Sequence, residues 1–600
     1  MKNFIKINCI VFLAVCMAAC KKDFLNQEPL DALSTGNSLA TVNELRMYMN
    51  QFYSGNAFPV QPTGAAGAGG IANNDLGTDN MIFNSLPTRL AGKYTIANAG
   101  AITTYNSIRS VNYFFENYKH AKGDPTAINQ YLGEAKFFRA LYYFGMVKSY
   151  GDVTWINKVM PTDVEAVKMP RDSRMLIVDS ILSDLDQAII LLPAQVNSAS
   201  MRLHKDVALA FKSRVALYEA TWQKYHKAKN DPFFTPGITD AKITSYFTQA
   251  RDAAQTIISS GRWRIYNTGK PLTDYNTLFV TTDLSTNPEI LLWKKYNLAD
   301  NIGNNISKYI CTGGGGMGYT SSFVDDYLTI GGAPFTGDAR ATAQLTYAAE
   351  LQPTVRDPRL SQTVAIPGAK MKPTTTYPAY PSLNKTATDQ SFTGYAMYKF
   401  LETNLADYTS DGKSTAPAIS FRYAEVLLNC AEAMVELGDE ASVPALLKPL
   451  RDRAGMPGVD FAREFNSDPS YPFNNLSPAL QSVRRERRVE LAAEGFRADD
   501  IMRWAAADVL LVGKRPLGTL FTGSDLPGKY TDVYYDAAPA GKSINLYLSG
   551  APGDQRRYID PYKNLLPNGY EFNVKRDYLL PIQQRMLQLT DNKWTQNPGF

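Results

Sequence analysis

Cys20 is the residue whose surroundings specify chemistry most sharply. Met17-Ala18-Ala19 stand directly before it, Cys9 to Ala19 form an apolar run of 11 residues, and Lys2 and Lys6 open the chain. A basic start, a short apolar stretch and small residues before a cut describe an export leader. Small residues set against a cysteine further specify transfer of lipid to its thiol, with residues 1–19 removed and Cys20 left as the acylated first residue. Two acyl chains suffice for stable anchoring. A spanning helix needs about 20 apolar residues, so the expectation is a chain held at a membrane by lipid.

Other reactive groups are sparse. The three histidines, His120, His204 and His226, have no metal-ligand spacing, and no H-E-x-x-H occurs. No serine stands in a G-x-S-x-G elbow. Gly313, Gly315 and Gly318 satisfy G-x-G-x-x-G, but without the strand and helix that aim N–H groups at a pyrophosphate, so a flexible or close-approach loop is expected. Asp75 and Asp79 lack the 12-residue loop of an EF-hand, and no metal or cofactor is assigned. Arg484 to Arg488 alternate with Glu486 and Glu490, the mixture that buried helix-to-helix ion pairs require. Glu425 and Glu432 share a helix with an apolar stripe, where capping and ion pairing are expected of them. A glycosidase needs only two carboxylates, whose pairing is spatial and invisible at this level.

Composition narrows the partners. Of 62 basic residues, Lys2 and Lys6 leave with the leader, and 57 acidic residues face the remainder. That near balance gives no electrostatic reason to expect nucleic acid. Cys9 and Cys16 also leave, so only Cys311 and Cys430 remain beside the anchor. Cys430 lies in a helical apolar pattern, where a free buried thiol is expected. Thirty-five Tyr, 28 Phe and six Trp make 12% of the chain. Tyrosine joins an apolar ring to a polar tip, which suits wet surfaces that grip flat ligands.

These residues need elements to position them. A polar tether precedes a helix at Thr41–Phe52, and a loop rich in Gly, Asn and Asp follows, running through Asn80. Tyr131 to Tyr142 repeat at helical spacing up to Gly151. Further helices are expected over Met175–Leu192, around Val207–Tyr218 and over about Ser245–Ser260. Residues 290–417 read as loops and short strands. Helices return at about 418–505, with an apolar stripe from Ala424 to Val435, a partner over Val443–Arg453 and a charged helix from Ser477 to about Ala493. Helix pairs about 30–40 residues apart suggest tetratricopeptide-like units.

Several segments together resemble the SusD/RagB family of outer-membrane lipoproteins. They are Cys20 with Lys22-Asp23-Phe24-Leu25-Asn26, Phe138 to Phe144 with Tyr150-Gly151-Asp152-Val153, and Phe421 to Leu428 with Ala431-Glu432-Ala433. Arg484 to Leu491 with Glu494-Gly495-Phe496-Arg497 and Arg503-Trp504 form the most recognisable stretch; Tyr578 to Ile582 and Asn597-Pro598-Gly599-Phe600 complete the series. The resemblance implies a mainly α fold, a right-handed superhelix of tetratricopeptide-like helix pairs with an irregular, loop-rich second region. The division expected is a signal peptide at 1–19, a helical region at 20–286 and a second region at 287–600.

The resemblance also implies a non-catalytic binder of oligosaccharides, or in some members peptides, that serves a TonB-dependent, SusC-like transporter from the cell surface. Its binding surface would draw on the loop after the first helix and on loops of the second region. Here those offer Asn73, Asp75, Asp79, Asn80, Arg89 and Tyr94 from one side, and Trp293, Tyr296 and Tyr319 from the other. Aromatic rings would stack on sugar faces while Asn, Asp and Arg bond hydroxyls. A peptide receptor on the same scaffold and a surface glycosidase are the alternatives.

Overall fold

The computed structural model describes residues 39–54, 57–63, 70–83, 85–161, 163, 165–194, 201–311, 317–383 and 391–600. Cys20, the leader and Gly313–Gly316 lie outside the described residues. Helices carry the first part of the chain: α1 (Val42–Ser54), α2 (Thr104–Asn117), α3 (Pro125–Tyr150), α4 (Arg174–Leu191), α5 (Lys205–Lys229) and α6 (Asp240–Ser259). Their boundaries follow from capping chemistry. Asp124 accepts from Thr126 N at the start of α3, with Pro125 at the first helical position. Gly151, at φ 72°, ends it in a conformation that a side chain would strain. The helix expected from about Ser245 begins earlier, at Asp240, because the Thr239 hydroxyl accepts from Lys242 N and secures an extra turn.

Consecutive helices pack on one another, α3 on α4, α4 on α5 and α5 on α6, which is the pairing tetratricopeptide-like units require. After the short helix α7 (Asp274–Val280), the chain becomes irregular. Its strands are brief: β1 (Met81–Ile82) pairs antiparallel with β3 (Gly318–Tyr319), and β2 (Ile290–Lys294) with β6 (Ala418–Arg422). β4 (Lys370–Lys372) pairs with β5 (Thr375–Thr376), and β7 (Leu520–Thr522) with β8 (Arg557–Tyr558). Of the expected close-approach glycine loop, Gly318 is described: a Cβ there would lie 2.2 Å from Thr393 Oγ1. Helical order returns with α8 (Tyr423–Glu436), α9 (Val443–Ala454), α10 (Pro478–Glu490) and α11 (Arg497–Arg503). Helix α8 packs against both α6 and α10, tying the late helices to the early stack.

Two large apolar cores result among the described residues, beside a small cluster of Leu328, Ala454 and Met456. The larger joins residues of α1–α6 to α8–α11 and to a C-terminal run from Tyr562 to Trp594. The other gathers Ile71, Ala72 and Met81 with residues of the irregular region such as Tyr275, Tyr319, Phe323 and Ile559. Both therefore draw residues from either side of position 287. Cys311 and Cys430 are free and buried, and burial pushes the Cys311 thiol up to about 11 and the Cys430 thiol to about 12.

His204, at the start of α5, is a buried titratable group with a measurable consequence. It is 1% exposed and donates from Nε2 to Leu291 O at 2.9 Å. Burial, only partly offset by that carbonyl and by Asp206, pulls its pKa from 6.5 down to about 4. The unfolded chain therefore binds a proton that the folded chain refuses, and stability falls as pH drops from 6.5 to about 4. The full loss from this group is about 3 kcal/mol. His226 contributes in the same direction. In urea titrations across this window, His204→Gln should flatten the decline; an unchanged slope would discard the assignment.

Candidate functional site

Six of the nine side chains expected at a ligand surface are interior. Asp75, Asp79, Asn80, Trp293, Tyr296 and Tyr319 are all buried. Each has internal work that explains its burial. Asn80 donates to Asp75 at 2.9 Å and accepts from Arg488 Nε at 2.8 Å. Asp79 receives both Arg497 Nε and Nη2 at 2.7 Å. Trp293 lies in β2 opposite Ile419. The Tyr296 hydroxyl accepts from Gln61 N, and the Tyr319 ring stacks on Phe323 at 4.8 Å. All six are therefore interior, and Asp75, Asp79, Asn80, Tyr296 and Tyr319 tie the loop after α1 to the rest of the fold.

The other three are half-buried. Asn73 ends a short 3-10 turn beside Tyr309. Arg89 donates to Asp577 O and lies over the Phe572 ring, and Tyr94 meets Phe600 edge-on at 6.2 Å. Arg89 and Tyr94 thus fasten this loop to the C-terminal segment.

The ion pairs expected of α10 are present and extensive. Glu490 receives Arg453 at 2.5 Å, Arg422 at 2.6 Å and Arg359 at 3.0 Å. Glu486 takes Arg359 at 2.6 Å and Arg451 at 2.8 Å, and Glu494 takes Arg422 at 2.7 Å and Lys399 at 2.8 Å. Glu425 pairs with Arg214 and Glu432 with Arg503, both at 2.6 Å. Burial would raise the Glu432 pKa, but Arg503, Arg487 and Arg484 outweigh it and hold the carboxyl at about 2. Carboxylates so committed are scaffolding.

Among the open surfaces of the described residues, two bear on ligand binding. The first is a group of half-buried tyrosines on loops of the irregular region: Tyr380, Tyr530, Tyr534, Tyr535 and Tyr547. Tyr530 donates to Pro381 O at 3.0 Å and stacks on buried Phe521, and Tyr535 meets the same Phe521 ring edge-on at 5.1 Å. Lys529 stands 5.2 Å from the centre of the Tyr380 ring. Rings held from beneath and uncovered above are the arrangement that apolar sugar faces stack on. The signal was in the sequence, as Tyr377-Pro378-Ala379-Tyr380-Pro381 and Tyr534-Tyr535 amid Gly and Pro, but periodicity gives such loops no coordinates.

The second is a cleft of about 610 Å³ between the start of α10's Arg-rich stretch and the loops at 334–341, 466–473 and 513–517. Its floor includes buried Phe335, Arg488 and Tyr570, and its rim includes exposed Asp468, Lys514 and Arg556. Among the described residues no cluster of three or more His, Cys, Asp or Glu is placed to hold a metal ion.

Residues 293–600 match the model of the SusD family. The chain belongs to the SusD family. Residues 23–217 match a second family model, described as starch-binding and associating with the outer membrane. Among curated relatives, SusD-like protein P38 of Formosa agariphila is 24% identical over 400 residues, 63% of this chain and 67% of that protein. The fold is shared with a SusD-like carbohydrate-binding protein of Bacteroides fragilis at 21% identity and TM-score 0.68, covering 92% of this chain and 99% of that one. A laminarin-binding SusD-like protein aligns at 18% identity and TM-score 0.54, over 93% and 99% of the two chains. The described helices of this SusD family member include none long and apolar enough to cross a membrane.

Proposed function

We propose that this SusD family protein is an outer-membrane lipoprotein of the cell surface, anchored through acylated Cys20. It captures oligosaccharides without cleaving them and passes them to a TonB-dependent, SusC-like transporter. Residues 20–286 serve mainly as helical scaffold and residues 287–600 carry the ligand-facing loops. The observation that carries the reading is the tyrosine group at Tyr380 and Tyr530, whose rings are supported by Phe521 and Pro381 and remain partly open. The carbohydrate-binding and laminarin-binding neighbours support the same ligand class. The buried carboxylates support a binder, since guanidinium groups occupy them.

A glycan array probed with the mature chain, with peptide pools and reducing-sugar release measured alongside, tests this. Tyr380→Ala with Tyr530→Ala should weaken oligosaccharide binding about tenfold, equivalent to about 1.4 kcal/mol, while thermal unfolding barely moves. Sugar release would make the protein a hydrolase, and binding of peptides alone would make it a peptide receptor. Detergent extracts should yield the transporter as a co-purifying partner; its absence at native expression would count against delivery.

A further inference from the structure

We infer that the 610 Å³ cleft lined by Arg485, Arg488, Lys514 and Arg556 binds a negatively charged sugar unit, a uronate or a sulfate ester, of the captured oligosaccharide. The inference rests on the oligosaccharide-binding reading and names the class of saccharide.

Charge bookkeeping within the cleft decides the sign of the ligand. Six cations line it, Arg340, Arg485, Arg488, Lys514, Arg515 and Arg556, against the four carboxylates Asp79, Asp325, Asp326 and Asp468. Three of those carboxylates are already taken. Arg488 pairs with Asp79 at 2.9 Å and Asp326 at 2.6 Å, and Arg340 pairs with Asp325 at 3.0 Å. Arg515 spends its charge on Asp560, outside the lining, at 2.5 Å. Among the described residues, Arg485, Lys514 and Arg556 have no carboxylate within 4.0 Å. Arg485 donates to Glu464 O and Gln481 Oε1, and Arg556 donates to Gln344 Oε1 at 2.8 Å. Asp468, turned onto Ser470 N and Oγ, is the single carboxylate without a cation. Six cations to four carboxylates leave the cleft positive, and since Arg485 stands in the field of Asp326 and Glu464, Lys514 and Arg556 carry the excess.

A second observation points inward. The Tyr570 ring is 2% exposed, its hydroxyl has no hydrogen-bond partner, and the residue lines both this cleft and a smaller cavity beside Tyr562 and Met81. A buried hydroxyl without a partner costs free energy unless something bonds it, and a sugar hydroxyl or carboxylate reaching the floor would do so. Phe335 and Tyr471 add apolar surface beside it. The cleft thus combines what an acidic sugar presents: an anionic group for the rim, hydroxyls for the floor and a ring face for the walls. Its volume accepts one or two sugar rings.

The experiment uses the full chain in detergent. Calorimetric titrations take matched pairs of oligosaccharides: oligogalacturonide and its methyl ester, oligomannuronate, a sulfated oligosaccharide and its desulfated form, with inorganic sulfate as the sugar-free probe. The expected result is an acidic oligosaccharide bound at least about tenfold more tightly than its neutral partner, weakening as salt rises. Lys514→Ala with Arg556→Ala, both exposed and neither in an ion pair, should remove about tenfold of that affinity or more. Tyr570→Phe should weaken it further while keeping the ring in place. No preference for any acidic member, unchanged affinity in the Lys514 and Arg556 variant, or inorganic sulfate binding as tightly as the sugars would each overturn the inference. Neutral glycans bound through Tyr380 and Tyr530 with no acidic preference would overturn it while leaving the oligosaccharide reading intact. Binding of peptides alone would overturn both.

Discussion

Glu490→Ala is expected to destabilise the folded protein by about 3–5 kcal/mol, among the largest penalties one substitution delivers. The side chain is fully buried and receives Arg453, Arg422 and Arg359 within 2.5–3.0 Å. Burial would raise its pKa, yet those three guanidiniums outweigh it and hold the carboxyl well below the usual carboxylate range. Removing it leaves three buried cations facing one another, with Glu289, Asp357, Glu486 and Glu494 as the remaining acceptors. The sign of the pH dependence follows. A depressed carboxyl contributes stability that is present above the unfolded value of about 4.3 and is lost as pH falls below it. The wild type should therefore resist acid down to about pH 4 through this network and lose it below, whereas Glu490→Ala should lack that contribution throughout. Denaturant midpoints measure it, with Glu425→Ala as the reference. Glu425 pairs with Arg214, a side chain 21% exposed, so water can replace the lost partner. Equal midpoints for the two variants would refute the picture of a buried, mutually dependent network.

Asp79→Asn should cost about 3 kcal/mol of stability and leave affinity for neutral oligosaccharides unchanged. Asp79 is 6% exposed and serves Arg488 and Arg497 together. Burial would raise its pKa, but the two guanidiniums more than compensate and keep it ionised. The neutral amide can accept one hydrogen bond while presenting a donor to the second arginine. The loop after α1 should loosen first, because Asn80 and Thr320 lean on the same segment. Hydrogen exchange over residues 71–83 would report that loosening. A loss of oligosaccharide affinity at full stability would instead restore Asp79 to the ligand surface.

The mainly helical fold was legible because its signals are local. Apolar stripes in α3, α5 and α8 and terminators such as Gly151 and Gly438 lie within one element, and α4 was bounded to within a residue. The role of Arg484–Arg488 was also legible, since alternation with Glu486 and Glu490 is a statement about charge that needs no partner coordinates. The partners themselves were not. Arg488 meets Asp79 across some four hundred positions of sequence, and Arg359 meets Glu486 across 127. The Asn- and Asp-rich loop after α1 therefore read as a wet surface, although its acids answer buried arginines. The tyrosine group failed in the opposite way. Tyr380 and Tyr530 come from separate irregular segments and meet through Phe521 and Pro381, contacts that follow no period.

The C-terminal segment sets the order in which this molecule can be completed. Leu580 N donates to Ser149 O, Trp594 Nε1 to Thr154 Oγ1, and Arg171 Nη1 to Asn597 Oδ1. Residues separated by more than four hundred positions thus close one core, and loop closure on that scale slows folding. The early helices can pair as they emerge, but the wall around Tyr143 and Trp155 stays unfinished until residues 578–597 arrive. A chain made from its N-terminus holds this half-built helical stack, apolar side exposed, until most of the polypeptide has followed. That interval is where a holdase chaperone would find its substrate, and where a nascent copy is most vulnerable to proteolysis.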